Sequence, residues 1–223
     1  MNDKLTFEVE NTVAVIALDD GKANAAGFEM LDAINGALDR ALTEAQAVVL
    51  LGRPGILSGG FDLKVINGGD EVELQRLFHH GVSTIMRLYG HPQPLVTAAT
   101  GHAVALGAFM LLASDYRLGA SGDFKIGLNE TAIGLTVPLF GIELAKARLS
   151  PLHLTEAAIG ARLYAPEAAI EAGFLDAVVQ EEAIRTSAID KARAMTALDA
   201  AAFAATKRGF RGKLIERVMA ELE

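Results

Sequence analysis

The sequence predicts a layered α/β fold, because apolar strands alternate with amphipathic helices over residues 1–130 and helices alone follow. Its 223 residues are 51% hydrophobic and 22% charged, a composition typical of globular rather than disordered proteins. A chain of this length suits one α/β domain. We therefore expect a single domain with a core over residues 1–150 and a helical C-terminal region over 151–223.

The chain begins with a predicted hairpin followed by a β-loop-α-β unit. Residues 5–10 and 12–18 are rich in β-forming residues, and a tight turn at Glu10 and Asn11 joins them. After a turn-rich segment, apolar residues recur at helical spacing over 28–42, and residues 47–51 form a short apolar strand.

Glycine and proline interrupt the central part of the chain. Residues 52–60 contain Pro54 and several glycines, which predicts a loop. A stretch of small residues over 101–107 leads into another helix. We expect helices over 71–89 and 108–113, and strands over 95–99, 116–118 and 124–126.

The periodicity beyond Glu130 is helical. Pro151 and Pro166 stand near the first turns of two segments, where a missing N–H group does no harm. We expect helices over 142–148, 151–159, 166–172, 181–198 and 200–222, the last one broken by Gly209 and Gly212.

Charge and composition exclude several classes of function. The 28 acidic residues outnumber the 20 basic ones, and no basic run extends beyond Lys207 and Arg208, so no nucleic-acid partner is expected. The absence of cysteine excludes disulfides and thiolate chemistry, and the five histidines lack a ligand spacing, so we expect no metal site. Without a long apolar stretch behind Met1 or elsewhere, we expect a cytoplasmic protein with no membrane partner.

Two adjacent glycines make residues 57–63 the first candidate site. Gly59 and Gly60 lie between an apolar strand and a helix, where exposed backbone N–H groups can point at a ligand oxygen. A plain strand-to-helix turn has the same spacing, and the local sequence alone favours that interpretation.

The small-residue stretch over 101–109 is the second candidate. It would let a helix N-terminus approach a substrate closely, so that free N–H groups and the helix dipole complete an oxyanion hole. Tight packing of a buried helix explains the composition equally well. His102 is expected to be a structural hydrogen-bonding residue rather than a base.

Glu130 is the best acid/base candidate. It lies among apolar and small residues over 126–134, where partial desolvation would raise the pKa of its carboxyl group toward that of a useful general base. The alternative, which the local sequence favours, is a glutamate at a helix start.

Together these segments resemble the crotonase (enoyl-CoA hydratase/isomerase) superfamily, over nearly the whole chain. The K-A-N-A run at 22–25, followed by Met30 and Leu31, is similar to the family's first CoA-binding loop and helix. The S-G-G-F-D-L run at 58–63 is similar to its S-A-G-x-D-L segment, with glycine for alanine. Residues 101–117 resemble the second oxyanion-hole segment, and residues 164–179 resemble the A-x-E-A…G-L-V-D-x-V-V stretch.

The resemblance implies a spiral of ββα units with a helical trimerisation region, and an enzyme that stabilises the enolate of an acyl-CoA thioester. It assigns the backbone N–H groups of Gly59 and Leu106 to the thioester carbonyl and proton transfer to Glu130. The family usually has glycine at position 106, so Leu106 would narrow the pocket or shift the donor to Gly107. The residues expected to contact substrate or CoA are Lys22, Ala23, Ala25, Gly60, Phe61, Asp62 and Phe109.

Among the reactions of this family, the resemblance favours isomerisation. The hydratases use two glutamates; here Phe109 takes the place of the first, and Glu130 stands in a G-L-N-E-T run similar to Δ3,Δ2-enoyl-CoA isomerases. One base suffices for a 1,3-proton shift, and an aromatic ring at 109 would exclude water. The alternative is a hydratase, or another crotonase-type lyase or hydrolase, with a second polar group from Asp62, His102 or Glu143.

A non-catalytic CoA-thioester-binding subunit is an alternative of a different class, which Leu106 and Phe109 permit and Glu130 argues against. No cofactor is expected, because coenzyme A is part of the substrate. Lys207 or Arg208 would pair with CoA phosphates. Apolar helix faces and the resemblance together imply a homotrimer or a dimer of trimers.

Overall fold

Two sheets organise the structure. The computed structural model describes residues 4–222; Met1, Asn2 and Asp3, where no leader is expected, lie outside it, as does Glu223. The larger sheet contains, in spatial order, β1 (Leu5–Glu10), β2 (Val13–Leu18), β3 (Ala47–Leu51), β5 (Leu95–Ala99), β7 (Tyr116–Ala120) and β9 (Ala177–Val179). The smaller sheet contains β4 (Gly55–Ser58), β6 (Gly101–Val104) and β8 (Ile126–Gly127).

The order of the strands forms a spiral. The hairpin of β1 and β2 is antiparallel, and every other strand pair of the two sheets is parallel. From β3 to β8, consecutive strands enter the larger and the smaller sheet in turn. The two sheets therefore grow together as the chain winds, and the predicted spiral of ββα units is confirmed.

Residues 4–222 form eight α-helices. They are α1 (Phe28–Glu44), α2 (Leu63–Ile66), α3 (Glu71–Gly90), α4 (Leu106–Leu112), α5 (Leu139–Arg148), α6 (Pro166–Ala172), α7 (Ile184–Met195) and α8 (Ala200–Met219). Asp70 caps α3 by accepting the N–H groups of Val72 and Glu73. Over residues 4–222, no helix combines the length and apolar character needed to cross a membrane.

The central strands are buried on both faces. Every residue of β3 and β5 is buried, as expected for parallel strands covered on both sides. One face packs against α1, α3 and α4, and the other packs against α7 through Ile184, Ala188 and Ala192. The region beyond residue 150 is therefore not made of helices alone: it adds the strand β9 to the larger sheet, and its helix α7 covers one face of that sheet.

The structure corrects several predicted boundaries. The predicted loop at 52–60 contains β4, the small-residue stretch contains β6, and α4 begins at Leu106 rather than at residue 108. Both strands escaped prediction because they are short and because backbones approach each other closely at glycines. A Cβ on Gly52 would lie 2.0 Å from the carbonyl oxygen of Ile56, and a Cβ on Gly101 would lie 1.9 Å from the carbonyl carbon of Gly55.

Three further boundaries in the second half of the chain differ. The strand predicted at 124–126 shrinks to β8, and residues 155–159 form a π-helical turn rather than an α-helix. Helix α8 runs through Gly209 and Gly212 without a break. A single glycine weakens an exposed helix by only about 1 kcal/mol, so packing overrides it.

Buried charges fasten α8 to the body of the protein. Lys207 is 7% exposed, and its Nζ donates to the carbonyl oxygens of His91 and Gln93 and to the carboxylate of Asp115, at 2.7, 2.9 and 2.6 Å. Arg211 Nη2 lies 3.0 Å from the other oxygen of Asp115. The expectation that Lys207 pairs with a CoA phosphate is therefore wrong, because its donors are already used.

Candidate active site

One cavity of about 510 Å³ lies between α2, α3, α4 and the segment over 129–140. Its polar lining residues are Glu71, Gln75, Asn129, Glu130 and Thr136. Its other lining residues are Gly59, Phe61, Leu63, Ile66, Leu74, Leu77, Phe78, Ala105, Leu106, Phe109, Ile133, Leu135, Pro138 and Phe140. The cavity is of a size that small-molecule sites have, and its walls suit an aliphatic group.

Four phenylalanine rings form one wall of the cavity. The ring centroids of Phe109 and Phe140 are 4.8 Å apart, and Phe78 lies 6.1 Å from both Phe140 and Phe61. Tilted and edge-to-face arrangements at these separations are favourable for aromatic rings. The predicted substrate contacts Phe61 and Phe109 therefore belong to one continuous aromatic surface.

Two glycines make room for this wall. A Cβ on Gly81 would lie 2.4 Å from Phe61 Cε1, and a Cβ on Gly141 would lie 2.6 Å from Phe109 Cζ. Any larger residue at either position would force a cavity-lining ring to move. The sequence showed both glycines but not which side chains rest on them.

Glu130 is buried in the cavity wall with an unpaired oxygen. Its side chain is 8% exposed, and its Oε2 has no hydrogen-bond partner within residues 4–222. Burial raises the pKa of the Glu130 carboxyl group above its usual range, and the backbone N–H groups of Glu130 and Asn129 partly oppose that shift. Asn129 Oδ1 is likewise buried without a partner in the described chain.

The first turn of α4 presents free N–H groups. Ala105, which precedes the helix, has a φ of 52°, a conformation that L-residues rarely adopt and that turns the chain sharply between β6 and α4. Within the described residues, the N–H groups of Leu106 and Gly107 have no backbone or side-chain acceptor. Leu106 and Ala105 line the cavity, whereas Gly107 packs against β4, where a Cβ would lie 2.4 Å from the carbonyl oxygen of Ser58.

The N–H group of Gly59 differs from that of Leu106. Gly59 lines the cavity, but its N–H donates to the carbonyl oxygen of Ala23 at 2.9 Å. The N–H of Gly60 donates to Ser58 Oγ at 3.2 Å. Of the two predicted oxyanion donors, only the one on α4 lacks an acceptor in this structure.

The loop over 19–26 lies against the Gly59 segment. The N–H of Ala26 donates to the carbonyl oxygen of Gly60 at 2.8 Å, and Ala26 forms a parallel bridge with Phe61. This arrangement puts Lys22, Ala23 and Ala25, the predicted CoA contacts, beside the segment that reaches the cavity. None of these three residues lines the cavity itself.

The polar side chains considered for a second catalytic group lie elsewhere. Asp62 caps α2 by accepting the N–H of Lys64 at 2.9 Å, and His102 Nδ1 accepts the N–H of Lys125 at 3.0 Å. Glu143 lies near Lys146. None of Asp62, His102 and Glu143 lines the cavity.

Sequence reasoning missed the wall that α3 contributes. Glu71, Leu74, Gln75 and Phe78 line the cavity at positions i, i+3, i+4 and i+7, so they share one face of the helix. The pattern is visible in the sequence, but a helix face with two polar and two apolar residues looks like the ordinary exposed side of a surface helix. Leu74 is 39% exposed, which is the feature that separates a cavity wall from a core contact.

Comparisons with known proteins agree with this arrangement. Residues 8–223 match the family model described as enoyl-CoA hydratase/isomerase. The structure superimposes with a TM-score of 0.96 on an enoyl-CoA hydratase/isomerase family protein from Pseudomonas syringae, at 39% identity over 99% of this chain and 96% of that one. It superimposes with a TM-score of 0.94 on human mitochondrial Δ3-Δ2-enoyl-CoA isomerase, at 25% identity over 98% of this chain and 87% of that one.

The chain is also similar in sequence to mitochondrial enoyl-CoA isomerases of mammals. Mouse mitochondrial enoyl-CoA delta isomerase 1 is 27% identical over 193 residues, which cover 84% of this chain and 67% of that protein. In the human and rat proteins of the same name, the aligned region spans 60% and 64% of the length.

Proposed function

Because the chain belongs to the enoyl-CoA hydratase/isomerase family, a family of enzymes, we propose that it moves a double bond from C3 to C2 of an acyl-CoA thioester. The observation that carries this proposal is Glu130, a buried carboxylate with an unpaired oxygen in an apolar cavity. No cofactor is needed, since coenzyme A belongs to the substrate.

The proposed reaction uses one base twice. The Glu130 carboxylate takes a proton from C2 of the 3-enoyl thioester, and the C–H electron pair becomes part of a dienolate whose negative charge lies on the thioester oxygen. The same carboxyl group then returns the proton to C4, which gives the 2-enoyl thioester. Burial supports this role, because a raised pKa brings the carboxyl group closer to the range of a useful base at neutral pH.

The N–H of Leu106 is the proposed donor to the dienolate oxygen. Leu106 lines the cavity, and its N–H stands at the first position of α4 and has no acceptor among the described residues. Gly59 is the proposed second donor. Donors fixed in advance at the developing charge are worth roughly 3 kcal/mol each in related chemistry.

Hydration of a 2-enoyl thioester is the second candidate. Asn129 Oδ1 and Glu130 Oε2 are adjacent in sequence, line the same cavity and lack donors among the described residues. A water molecule has two O–H groups and would donate to both oxygens. Its oxygen would add to C3 while the Glu130 carboxylate takes one of its protons, and the same carboxyl group would then protonate C2 of the resulting enolate. Phe109 and Phe140 oppose this reaction by keeping that part of the wall apolar.

A side-by-side assay separates the candidates. We expect wild-type protein to convert 3-enoyl-CoA to 2-enoyl-CoA, and Glu130→Gln to lower kcat by about 10²- to 10⁴-fold, as loss of a general base does. Glu71→Gln makes the same change at an exposed carboxylate of the same cavity, and it should keep kcat within about threefold.

Two outcomes would contradict isomerisation. Formation of 3-hydroxyacyl-CoA from 2-enoyl-CoA at a comparable rate would identify a hydratase. Tight CoA binding with turnover of neither substrate would identify a non-catalytic CoA-thioester-binding subunit. Equal loss of activity in Glu71→Gln and Glu130→Gln would mean that two carboxylates act together.

We also propose that the protein is a homotrimer or a dimer of trimers. Leu152, Ile159 and Phe210 expose large apolar side chains to 93%, 69% and 87%. Burial against neighbouring copies would remove these surfaces from water. Light scattering should give three or six times the chain mass of 23.5 kDa, and a monomer would contradict the assignment.

A further inference from the structure

The backbone amide of Gly59 is held by a neighbouring loop. Its N–H donates to the carbonyl oxygen of Ala23 at 2.9 Å, while Gly59 itself lines the cavity. This carbonyl occupies a donor that an enolate oxygen would use. The direction of the N–H therefore depends on how firmly the loop over 19–26 is fixed.

Asn24 fixes the loop to the strands below it. Its side chain is fully buried, and its Nδ2 donates to the carbonyl oxygens of Leu18 and Leu57 at 3.1 and 3.0 Å. Its Oδ1 accepts the N–H of Asp20 at 3.0 Å. Asn24 has a φ of 48°, which asparagine tolerates better than most residues.

Asp20 closes the same loop from its outer side. Its Oδ1 accepts the N–H groups of Lys22 and Asn24, both at 2.8 Å, and its Oδ2 accepts the N–H of Ala25 at 3.2 Å. Burial alone would raise the pKa of Asp20, but these three donors lower it. The carboxylate thus organises the backbone on both sides of Ala23.

Ser58 connects the loop to both predicted oxyanion donors. It is fully buried, and its Oγ donates to the carbonyl oxygen of Asn24 at 2.7 Å and accepts the N–H of Gly60 at 3.2 Å. Its own carbonyl oxygen packs against Gly107 at the start of α4. The Ser58 side chain therefore bonds both to the loop over 19–26 and to Gly60, the residue after Gly59. Ser58 also lies next to the turn that carries the Leu106 amide.

We propose that Asp20, Asn24 and Ser58 are positioning residues that aim the Gly59 amide at the thioester oxygen, with the Ala23 carbonyl as its resident acceptor in the free protein. This inference rests on the proposed enolate-stabilising site. The thioester oxygen shares an N–H that the protein already orients, and it does not have to order a free one. Because the loop next to CoA supplies the resident carbonyl, contacts to CoA and alignment of the donor are coupled.

Ser58→Ala tests the proposal because it removes one buried hydroxyl without adding bulk. We expect kcat for 3-enoyl-CoA to fall about 10- to 100-fold, less than complete loss of an oxyanion donor causes, with KM and the affinity for free CoA within about threefold. A cinnamoyl-type CoA thioester provides a second readout, since its absorption moves to longer wavelength when its carbonyl is polarised. We expect that red shift to fall by about half or more.

Ser114→Ala is the matched control. Ser114 is also fully buried, its Oγ donates to the carbonyl oxygen of Met110 at 2.9 Å, and it is hydrogen-bonded to Thr97. The two variants lose similar hydrogen bonds, so a merely structural effect would be shared. We expect Ser114→Ala to keep kcat and the red shift within about twofold of wild type.

Asp20→Ala keeps the test decisive if Ser58→Ala does not fold. Asp20 is only partly buried, so its removal should leave the core intact while three backbone N–H groups lose their acceptor. We expect kcat to fall at least about fivefold and the red shift to shrink, because the Ala23 carbonyl is no longer fixed.

The red shift separates this inference from the proposed reaction. If wild-type protein shifts the absorption but does not turn over 3-enoyl-CoA, isomerisation is wrong, and a smaller shift in Ser58→Ala still supports positioning. If the folded variants keep the wild-type shift and kcat within twofold, the positioning role is wrong even when the enzyme is an isomerase. Binding of the thioester to wild-type protein without any shift would overturn both.

Discussion

Two buried carboxylates of this protein have opposite surroundings. The Asp115 side chain is 7% exposed, and its Oδ2 accepts hydrogen bonds from the N–H of Leu95 at 2.8 Å and from Lys207 Nζ at 2.6 Å. Its Oδ1 lies 3.0 Å from Arg211 Nη2. Glu130 is 8% exposed, and its Oε2 has no partner among the described residues. Both carboxyl groups are largely removed from water, so burial alone does not distinguish them.

The difference between them is the supply of donors. A buried charge needs partners to offset its lost hydration, and Asp115 has two cations and an amide that hold α8 in place. Glu130 has one oxygen without a partner among the described residues, and burial outweighs the backbone N–H groups of Glu130 and Asn129, so its charged form is disfavoured and its pKa is raised. A fully paired carboxylate fixes structure, whereas an unpaired one is available for proton transfer.

The largest effect should come from breaking the paired region. Asp115→Asn leaves Lys207 and Arg211 buried without a counter-charge, and we expect the free energy of unfolding to fall by about 3–5 kcal/mol. Urea unfolding measures this change in the free energy of unfolding. Asp39→Asn breaks the exposed pair with Arg87 and should lower stability by about 1 kcal/mol or less. Equal losses in the two variants would mean that the buried cations find other partners.

The next effect should come from crowding the unpaired region. In Gly141→Ala the new methyl group would lie 2.6 Å from Phe109 Cζ and 2.9 Å from Val137 Cγ1, so the ring that lines the cavity would have to move. We expect a loss of about 1–3 kcal/mol in stability, together with a fall in kcat of roughly tenfold. Gly209→Ala adds the same methyl group to α8, where nothing lies within 4 Å, and should stabilise the protein by about 0.5–1 kcal/mol with unchanged kcat.

A smaller effect should appear in the pH dependence of isomerisation. The base acts as a carboxylate, so activity must fall as pH drops through the pKa of Glu130. Since burial raises that pKa, the acidic limb of kcat/KM should lie above the ordinary glutamate value of 4.5. A profile that stays flat down to that value would contradict the unpaired environment of Glu130.

The smallest effect concerns the stability of Glu130→Gln. The folded-state pKa of Glu130 is raised, so the protonated carboxyl group contributes stability at low pH that is lost as pH rises through that pKa. Glutamine does not ionise, so the variant does not lose stability in this way as the pH rises. Thermal unfolding should show the variant at least as stable as wild type at pH 8 and no more stable at pH 4. A less stable variant at pH 8 would point to a hidden partner for the carboxylate.

The sequence predicted elements whose periodicity is long and regular. The hairpin, α1, β3, β5 and α6 lie where their patterns place them, because the hairpin and the helices show periodic apolar positions and β3 and β5 are continuous apolar runs. The strands β4 and β6 escaped, since their pairing depends on close approach at glycines and gives no periodic pattern. Helix α8 shows the reverse case, in which packing overrides two glycines.

The candidate site could be predicted only in part. Glu130, Gly59, Leu106 and Phe109 were named from their motifs, and all four line one cavity. The role of Lys207 was misjudged, because the sequence does not distinguish a lysine that pairs with a buried aspartate from one that faces solvent. The contribution of α3 was missed, since its mixed polar and apolar face looks the same on a surface helix and over a cavity.

The sequence by itself determined the fold class, the order of the elements and the residue types of the site, because these follow from local periodicity and motif spacing. Only the tertiary structure decided which polar groups are paired. Hydrogen bonds join residues far apart in the chain, such as Lys207 with Asp115 and Ser58 with Asn24. Whether a buried carboxylate or amide is left without a hydrogen-bond partner depends on which groups the folded chain brings within about 3 Å of it, and no local pattern encodes that distance.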